Sequence, residues 1–345
     1  MIRSLKFENF TAFDSLDISF SPGVNLLIGE NGTGKTHILK VLYSGCDVTK
    51  SKKGLAEKIN DVFYPSDKQI GRLVKRAKTS SSGSVEISRA MPDGKTASIK
   101  LTLTSHMLTP DKAKLTGATK LWLENPLESV FIPVKDMMAN APAFRSLYAT
   151  RNIHFEEVYA DIIDRAFLPA LKGPTERQRG KLLEILQEAM EGKVVAKREE
   201  FFLRNKQGEL EFTLLAEGFR KLGLLWLLIQ NGTLLSGSTL FWDEPETNLN
   251  PRLMEKVVGI LMELQRLGVQ IFVSTHDYVL LKEFDLATKK SDKISYHSLF
   301  RKKGNGAILH NTSETLAGLD PNAIDATFGS IIDRQVSKDM GGLGK

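Results

Sequence analysis

The stretch that most constrains this chain is VNLLIGENGTGKT, Val24 to Thr36. An apolar run of the kind that forms a buried strand leads straight into a glycine-rich turn. The next residues, His37 to Tyr43, space their apolar positions as a helix does. From Gly29 to Thr36 the pattern is G-x-x-x-x-G-K-[ST], which between a strand and a helix is a phosphate-binding loop. Gly29, Gly32 and Gly34 let the backbone curl, so that the peptide N–H groups of Glu30, Asn31 and Thr33 and of the glycines point at phosphate oxygens. The following helix adds the partial positive charge of its N-terminus. Lys35 is expected to reach the β- and γ-phosphates, and the Thr36 hydroxyl to hold Mg2+. ATP and Mg2+ are therefore the expected ligands.

The rest of the composition sets bounds. At 345 residues the chain has room for one large α/β domain or two smaller ones. Its formal charge of +6 permits contact with nucleic acid without demanding it. A single cysteine, Cys46, excludes an internal disulfide and a cysteine-based zinc site, and fits a reducing cytoplasm. The first ten residues alternate like a strand and do not read as a signal peptide. The longest apolar block, 222–229, is too short to cross a bilayer. A cytoplasmic protein with no membrane contact is expected.

Taken in order, residues 2–9 and 15–20 alternate as two strands ahead of the loop, and a helix is expected over 35–44. A polar, basic region from Thr49 to Gly83 follows and ends in a flexible Ser-rich link at 79–83. In it, Lys68, Arg72, Lys75 and Arg76 fall at helical spacing. That row is either a solvated helix face or a contact for DNA phosphates. Segments 84–89 and 97–103 read as a β-hairpin, 129–133 as a strand, 155–171 and 175–191 as helices, and 200–204 with 209–213 as a second hairpin. The last third alternates helix (217–230, 251–266) with strand (238–243, 269–274). Beyond Tyr296 short strands, turns and a Gly-rich tail from Gly341 are expected.

A second informative stretch is TLFWDEPETNLNP, Thr239 to Pro251, an apolar strand that ends in two acids. Paired with the phosphate loop, it suits Asp243 as a Mg2+ ligand through water and Glu244 as the group that orients or deprotonates the attacking water. Here the sequence resembles the ABC-type ATPase heads of the RecF, SMC and OLD-like branch. The opening LKFENFTAFDSLDISFSPGVNLLIGENGTGKT, the sequence DEPETNLNP as Walker B and D-loop, IFVSTHD with His276 as switch histidine, and LLAEGFRKLGLL at the start of the signature helix come in the family's order. The resemblance covers about 2–44 and 211–280. It implies a P-loop NTPase of the ABC ATPase type, with an antiparallel β subdomain and an inserted helical lid.

The division it implies is an N-terminal half at 1–48, an inserted lid and hairpin region at 49–210, a C-terminal half at 211–290, and strands and tail at 291–345. It further implies a homodimer or higher homo-oligomer around ATP, in which Ala216, Glu217 and Gly218 touch the γ-phosphate in trans and His276 contacts the γ-phosphate. The family pattern begins Ser-Gly-Gly where this chain has Ala216, Glu217 and Gly218, which points to slow turnover. The family's Q-loop glutamine has no clear match, and 132–136 is the positional candidate.

Residues 45–210 carry neither the long heptads nor the Cys-x-x-Cys hook of SMC proteins, and residues after His276 spell no Asp-x-Asp of a Toprim nuclease. The resemblance thus narrows to the ATPase subunits of PARIS-type anti-phage systems, which implies a slow ATPase acting as sensor or scaffold for a separately encoded effector such as a Toprim nuclease. The alternative is a RecF-like DNA-binding ATPase of replication or repair, with 68–78 as the contact.

Overall fold

The computed structural model describes residues 1–341 apart from Lys52, Asn152, Pro174, Thr175, Lys303 and Asn305. The chain opens with β1 (Ile2–Phe10), β2 (Phe13–Ser19), β3 (Val24–Gly29), α1 (Lys35–Asp47) and α2 (Leu55–Phe63). It continues through β4 (Ser82–Ala90), β5 (Thr96–Thr104), β6 (Lys114–Gly117), α3 (Thr119–Glu124), β7 (Ser129–Ile132), α4 (Phe144–Thr150), α5 (Glu157–Ala166) and α6 (Arg177–Met190). Next come β8 (Lys193–Lys197), β9 (Glu200–Asn205), β10 (Gly208–Glu211), α7 (Glu217–Gln230), β11 (Thr239–Asp243) and α8 (Pro251–Arg266). The chain closes with β12 (Gln270–Thr275), α9 (Tyr278–Ala287), β13 (Ile294–Arg301), β14 (Ile308–Ser313) and α10 (Ala323–Gly341).

The central sheet has the order β14-β13-β3-β12-β11-β7, parallel except for the edge strand β14. Its inner strands read as near-continuous apolar runs because both faces are covered. Their alternate side chains serve two cores. Leu26, Ile28, Leu240, Trp242, Ile271 and Val273 face one core with α7, α8 and α9. Leu27, Phe241 and Phe272 face the other, where α1 is held against an antiparallel sheet of order β2-β1-β4-β5-β6. A small β10-β9-β8 sheet packs Val194, Phe201 and Leu203 into the first of these cores. This is the mixed α/β architecture, with an antiparallel β portion, that the sequence led us to expect.

Three parts of the chain depart from the sequence reading. The stretch 66–73 forms two 3-10 turns rather than a helix, with positive φ at Asp67 and Lys68. Its backbone is bound elsewhere: Gly71 N donates to Met107 O (2.9 Å) and Lys75 N to Asn9 O (2.8 Å). A Cβ at Gly71 would lie 2.8 Å from backbone atoms of Met107 and Ser105. The helical spacing of Lys68, Arg72, Lys75 and Arg76 therefore does not create a helix face. The Ser-rich link is shorter than expected, since β4 already begins at Ser82. The C-terminal region is not all short strands and turns, for α10 runs nineteen residues through to Gly341, and the rest of the Gly-rich tail lies outside the described residues. Its apolar residues Ile324, Phe328, Ile331 and Ile332 do follow helical spacing, but Gly329 interrupts them and obscures the pattern.

One buried polar set ties β3 to β13. His297, fully buried, places Nε2 3.2 Å from Asn25 Oδ1 and Nδ1 2.9 Å from Thr312 Oγ1. Asn25 Oδ1 is an acceptor, so the ring carries its proton on Nε2, and Nδ1 accepts from Thr312. Burial holds the ring neutral and pushes its pKa down to about 3. The unfolded chain takes up this proton near pH 6.5 while the folded one does not. The stability is thus whole above pH 6.5 and declines as pH falls towards 3. Replacing His297 with Gln is expected to flatten the pH dependence of unfolding by about 2 kcal/mol between pH 6 and 4.5. Denaturant titrations of both proteins across that range check it.

Candidate functional site

The carboxyl ends of β3, β11 and β12 meet at one edge of the central sheet, where a crevice forms in open α/β architectures. β3 leads into residues 29–34, and α1 begins at Lys35. Gly29, Gly32 and Gly34 all have positive φ (149°, 75° and 89°), which frees the turn to cup an anion. A Cβ at Gly34 would meet the Phe13 ring at 2.5 Å, so glycine is also demanded by space. Lys35 is buried and folds back over the loop, with Nζ donating to Gly29 O (2.6 Å) and Glu30 O (3.1 Å). Burial lowers its pKa, and the nearby carboxylates of Glu244, Asp243 and Glu246 act in the opposite sense. Thr33 Oγ1 donates to Glu30 O (2.8 Å) and braces the same turn.

Asp243 ends β11 and is 3% exposed. Thr36 Oγ1 donates to its Oδ2 (2.9 Å), and Ser274 Oγ, directly across from it on β12, donates to its Oδ1. Burial raises the Asp243 pKa, and these two hydroxyls work against that shift. Glu244 follows with φ 47°, and its Oε1 lies 3.1 Å from His276 Nδ1. Two residues on, the buried Glu246 accepts from Thr275 Oγ1 (2.8 Å) and His276 N (3.2 Å), and so fixes the backbone that presents His276. Burial raises its pKa as well. The sequence reading did not single out Glu246 or Ser274. Both sit within two residues of a named motif residue, and the strand register that brings Ser274 against Asp243 is not legible locally.

The structure brings Lys35, Thr36, Asp243, Glu244 and His276 together, and it places Ala216–Gly218 elsewhere. Ala216 precedes α7, whose first turn packs on the segment after β11. Glu217 Oε2 accepts from Asn248 Nδ2 (2.9 Å), and its other oxygen lies 3.9 Å from Lys221 Nζ. Lys221, missed from sequence, is 3% exposed and donates to Thr247 O; burial lowers its pKa. No hydrogen bond or ion pair among the described residues joins 216–218 to 29–36. Residues 133–136 leave β7, the neighbour of β11, and Asp136 Oδ2 accepts from Arg220 Nε (2.6 Å) on α7. The proposed DNA contacts divide. Lys75 is paired with Asp14 (2.6 Å) and Lys68 with Asp61 (3.5 Å), whereas Arg72 and Arg76 have no acidic partner among the described residues; Arg72, Lys75, Arg76, Lys78 and His106 border an open groove of about 610 Å3.

The donor set fits the expected ligands. Thr36 and Asp243 offer hard oxygens side by side, and among the described residues no cluster of three or more His, Cys, Asp or Glu offers a cage of protein ligands. That is how Mg2+ is held when phosphates and water complete its shell. A second cleft of about 350 Å3 adjoins the loop, walled by Gly29, Glu30, Asn31, His276 and the first two turns of α10, where Phe328 stacks on Tyr278 with centroids 3.8 Å apart.

Comparison with known proteins agrees with this geometry. The chain is 43% identical over 54 residues to the DNA replication and repair protein RecF of Lachnoclostridium phytofermentans, which is 16% of this chain and 15% of that protein. To the RecF of Limosilactobacillus reuteri it is 23% identical over 181 residues, 50% of this chain and 48% of the relative. The chain thus spans half or less of the length of these curated relatives. Its fold superposes on an SMC head crystallised with the C-terminal winged-helix domain of ScpA, with TM-score 0.60, 14% identity, and coverage of 92% of this chain and 98% of that one. An SMC head with extended coiled coil from Pyrococcus furiosus, bound to the C-terminal domain of ScpA, gives TM-score 0.54 and 11% identity, covering 97% of this chain and 99% of that one. A family model described as "AAA domain, putative AbiEii toxin, Type IV TA system" matches residues 24–282. The chain belongs to that family, and its fold is that of an ABC-type ATPase head.

Proposed function

We propose that this protein binds Mg-ATP between the phosphate loop and Asp243, dimerises around it and hydrolyses it slowly, with Glu244 acting on the attacking water. The observation that carries this reading is the meeting of Thr36 with Asp243, 207 residues apart, beside the Glu244–His276 pair. Mg2+, when bound, neutralises phosphate charge. Lys35 exchanges its bonds to Gly29 O and Glu30 O for phosphate oxygens. Glu244 takes the proton of the water that attacks the γ-phosphorus, ADP leaves with the bridging oxygen, and His276 holds the Glu244 carboxylate in place. Ala216, Glu217 and Gly218 meet the partner subunit's nucleotide. The lid and hairpin region at 49–210, which also lends β4–β6 to the antiparallel sheet and β7 to the central sheet, separates the halves of the head at 1–48 and 211–290, and the chain ends in 291–345.

In this reading the dimer is the sensor and scaffold of a bacterial anti-phage defence system and controls a separate effector, such as a Toprim nuclease. The family's description, which names a putative AbiEii toxin of a type IV toxin–antitoxin system, supports the defence part of this reading. Replacing Glu244 with Gln is expected to keep ATP binding, lower turnover roughly hundredfold or more, and accumulate a dimer. Replacing Lys35 with Ala is expected to abolish binding. Phosphate release and light scattering with ATP check both, and wild-type turnover by Glu244→Gln would overturn the assignment.

A second reading, a RecF-like DNA-binding ATPase, is supported by the RecF likeness and by the groove in which Arg72, Arg76 and Lys78 lack acidic partners among the described residues. It predicts that duplex DNA stimulates hydrolysis. Replacing Arg72 and Arg76 with Ala would then reduce the slope of log affinity against log salt by about 2. A hydrolysis rate indifferent to DNA favours the scaffold.

A further inference from the structure

Beyond the motif residues, one cation on a different strand holds the phosphate loop. β13 runs parallel to β3 with Leu299 opposite Gly29, so Arg301 stands level with the turn that β3 feeds. The β13–β14 pairing continues to Arg301 and Ile308 and closes through Lys302 N donating to Ala307 O (2.8 Å), which supports the strand to its last residue. From there one guanidinium nitrogen of Arg301 donates to Gly32 O (2.8 Å). A Cβ at Gly32 would lie 3.2 Å from the same nitrogen. No carboxylate lies within ion-pairing distance of Arg301 among the described residues.

We propose that Arg301 is a positioning residue for the triphosphate, pinning the tip of the loop so that its N–H groups are set for phosphate before the nucleotide arrives. Lys35 and Thr33 hold the carbonyls of Gly29 and Glu30 from within the loop, and Arg301 alone among these three reaches it from outside, at Gly32. A charge-assisted bond at that carbonyl fixes the positive φ of Gly32 and polarises the 32–33 peptide, which strengthens the N–H of Thr33 as a donor. Arginine keeps this charge at every working pH. Pre-setting the loop lowers the ordering cost of binding and acts alike on ground and transition states. Its signature is therefore in affinity and not in the chemical step.

This inference rests on the reading of the site as an ATP site. ATP titrations by calorimetry, with steady-state hydrolysis alongside, compare the wild type with Arg301→Ala and Arg301→Lys. Arg301→Ala is expected to raise the dissociation constant and KM about tenfold while kcat changes less than about twofold, and Arg301→Lys to recover most of the loss. Unchanged affinity in Arg301→Ala, a loss confined to kcat, or a lysine variant as weak as alanine would overturn the role. Failure of the wild type to bind ATP would instead overturn the functional reading, and this inference with it.

Discussion

Asp243 puts a carboxylate where water scarcely reaches, and the rest of the site is arranged around that cost. An ionised carboxylate at 3% exposure needs compensating donors, and it has two, the hydroxyls of Thr36 and Ser274. Ser274 comes from the neighbouring parallel strand β12, and Thr36 from the helix that follows β3, one strand further on. The register of β11 on β12 sets Asp243 opposite Ser274, and that of β12 on β3 sets Thr275 opposite Ile28, just before the loop. A slip of one residue in either ladder would turn the partner side chain to the other face of the sheet. The sheet is therefore the device that sets the chemistry.

The far end of α1 is fixed by a second set of charges. Lys58, only 1% exposed, lies 2.8 Å from Asp47 and 2.7 Å from Asp161. Arg165 bonds Asp47 at 2.5 Å, and Tyr43 donates to Asp161 (2.6 Å). Nearer the middle, Lys40 pairs with Glu156 (2.6 Å), next to the start of α5. A buried network of this kind destabilises when broken, because each unpaired member is left without solvent. Its consequence is mechanical. The helix that starts with Lys35 and Thr36 is clamped by α2 and α5, so the loop is carried on a rigid base.

How much was legible follows from how far each residue acts. The phosphate loop, the acid pair and His276 lie in short runs whose pattern requires no knowledge of the rest of the chain. The fold class followed from their order. Residues 66–78 misled because their charges have helical spacing, while Gly71 is bound to the segment after β5 and the backbone of Lys75 to β1. Arg301 and Lys221 bear on the loop and on the segment after β11 through single backbone carbonyls, which no spacing rule records. α10 was hidden by Gly329, and its exposed Ile331, Ile332, Val336 and Met340 give no sign in sequence of standing beyond the edge of the nucleotide crevice.

The acid at position 217 is the sharpest instance of a local pattern corrected by its surroundings. From sequence it stands where a glycine is expected and threatens a negative charge beside a phosphate. In the structure its carboxylate is turned onto its own subunit, accepting from Asn248 and lying near Lys221 and Arg220. Lys221 in turn holds Thr247 O, and Asn248 adopts a positive φ of 57°. The segment after Glu244 and the first turn of α7 are thus one unit, cross-linked by charge. A glycine in place of Glu217 would free that turn and leave Lys221 with one fewer counter-charge in a place where burial already disfavours its charged form. The acid at 217 thus has its partners within its own chain, on α7 and on the segment after β11.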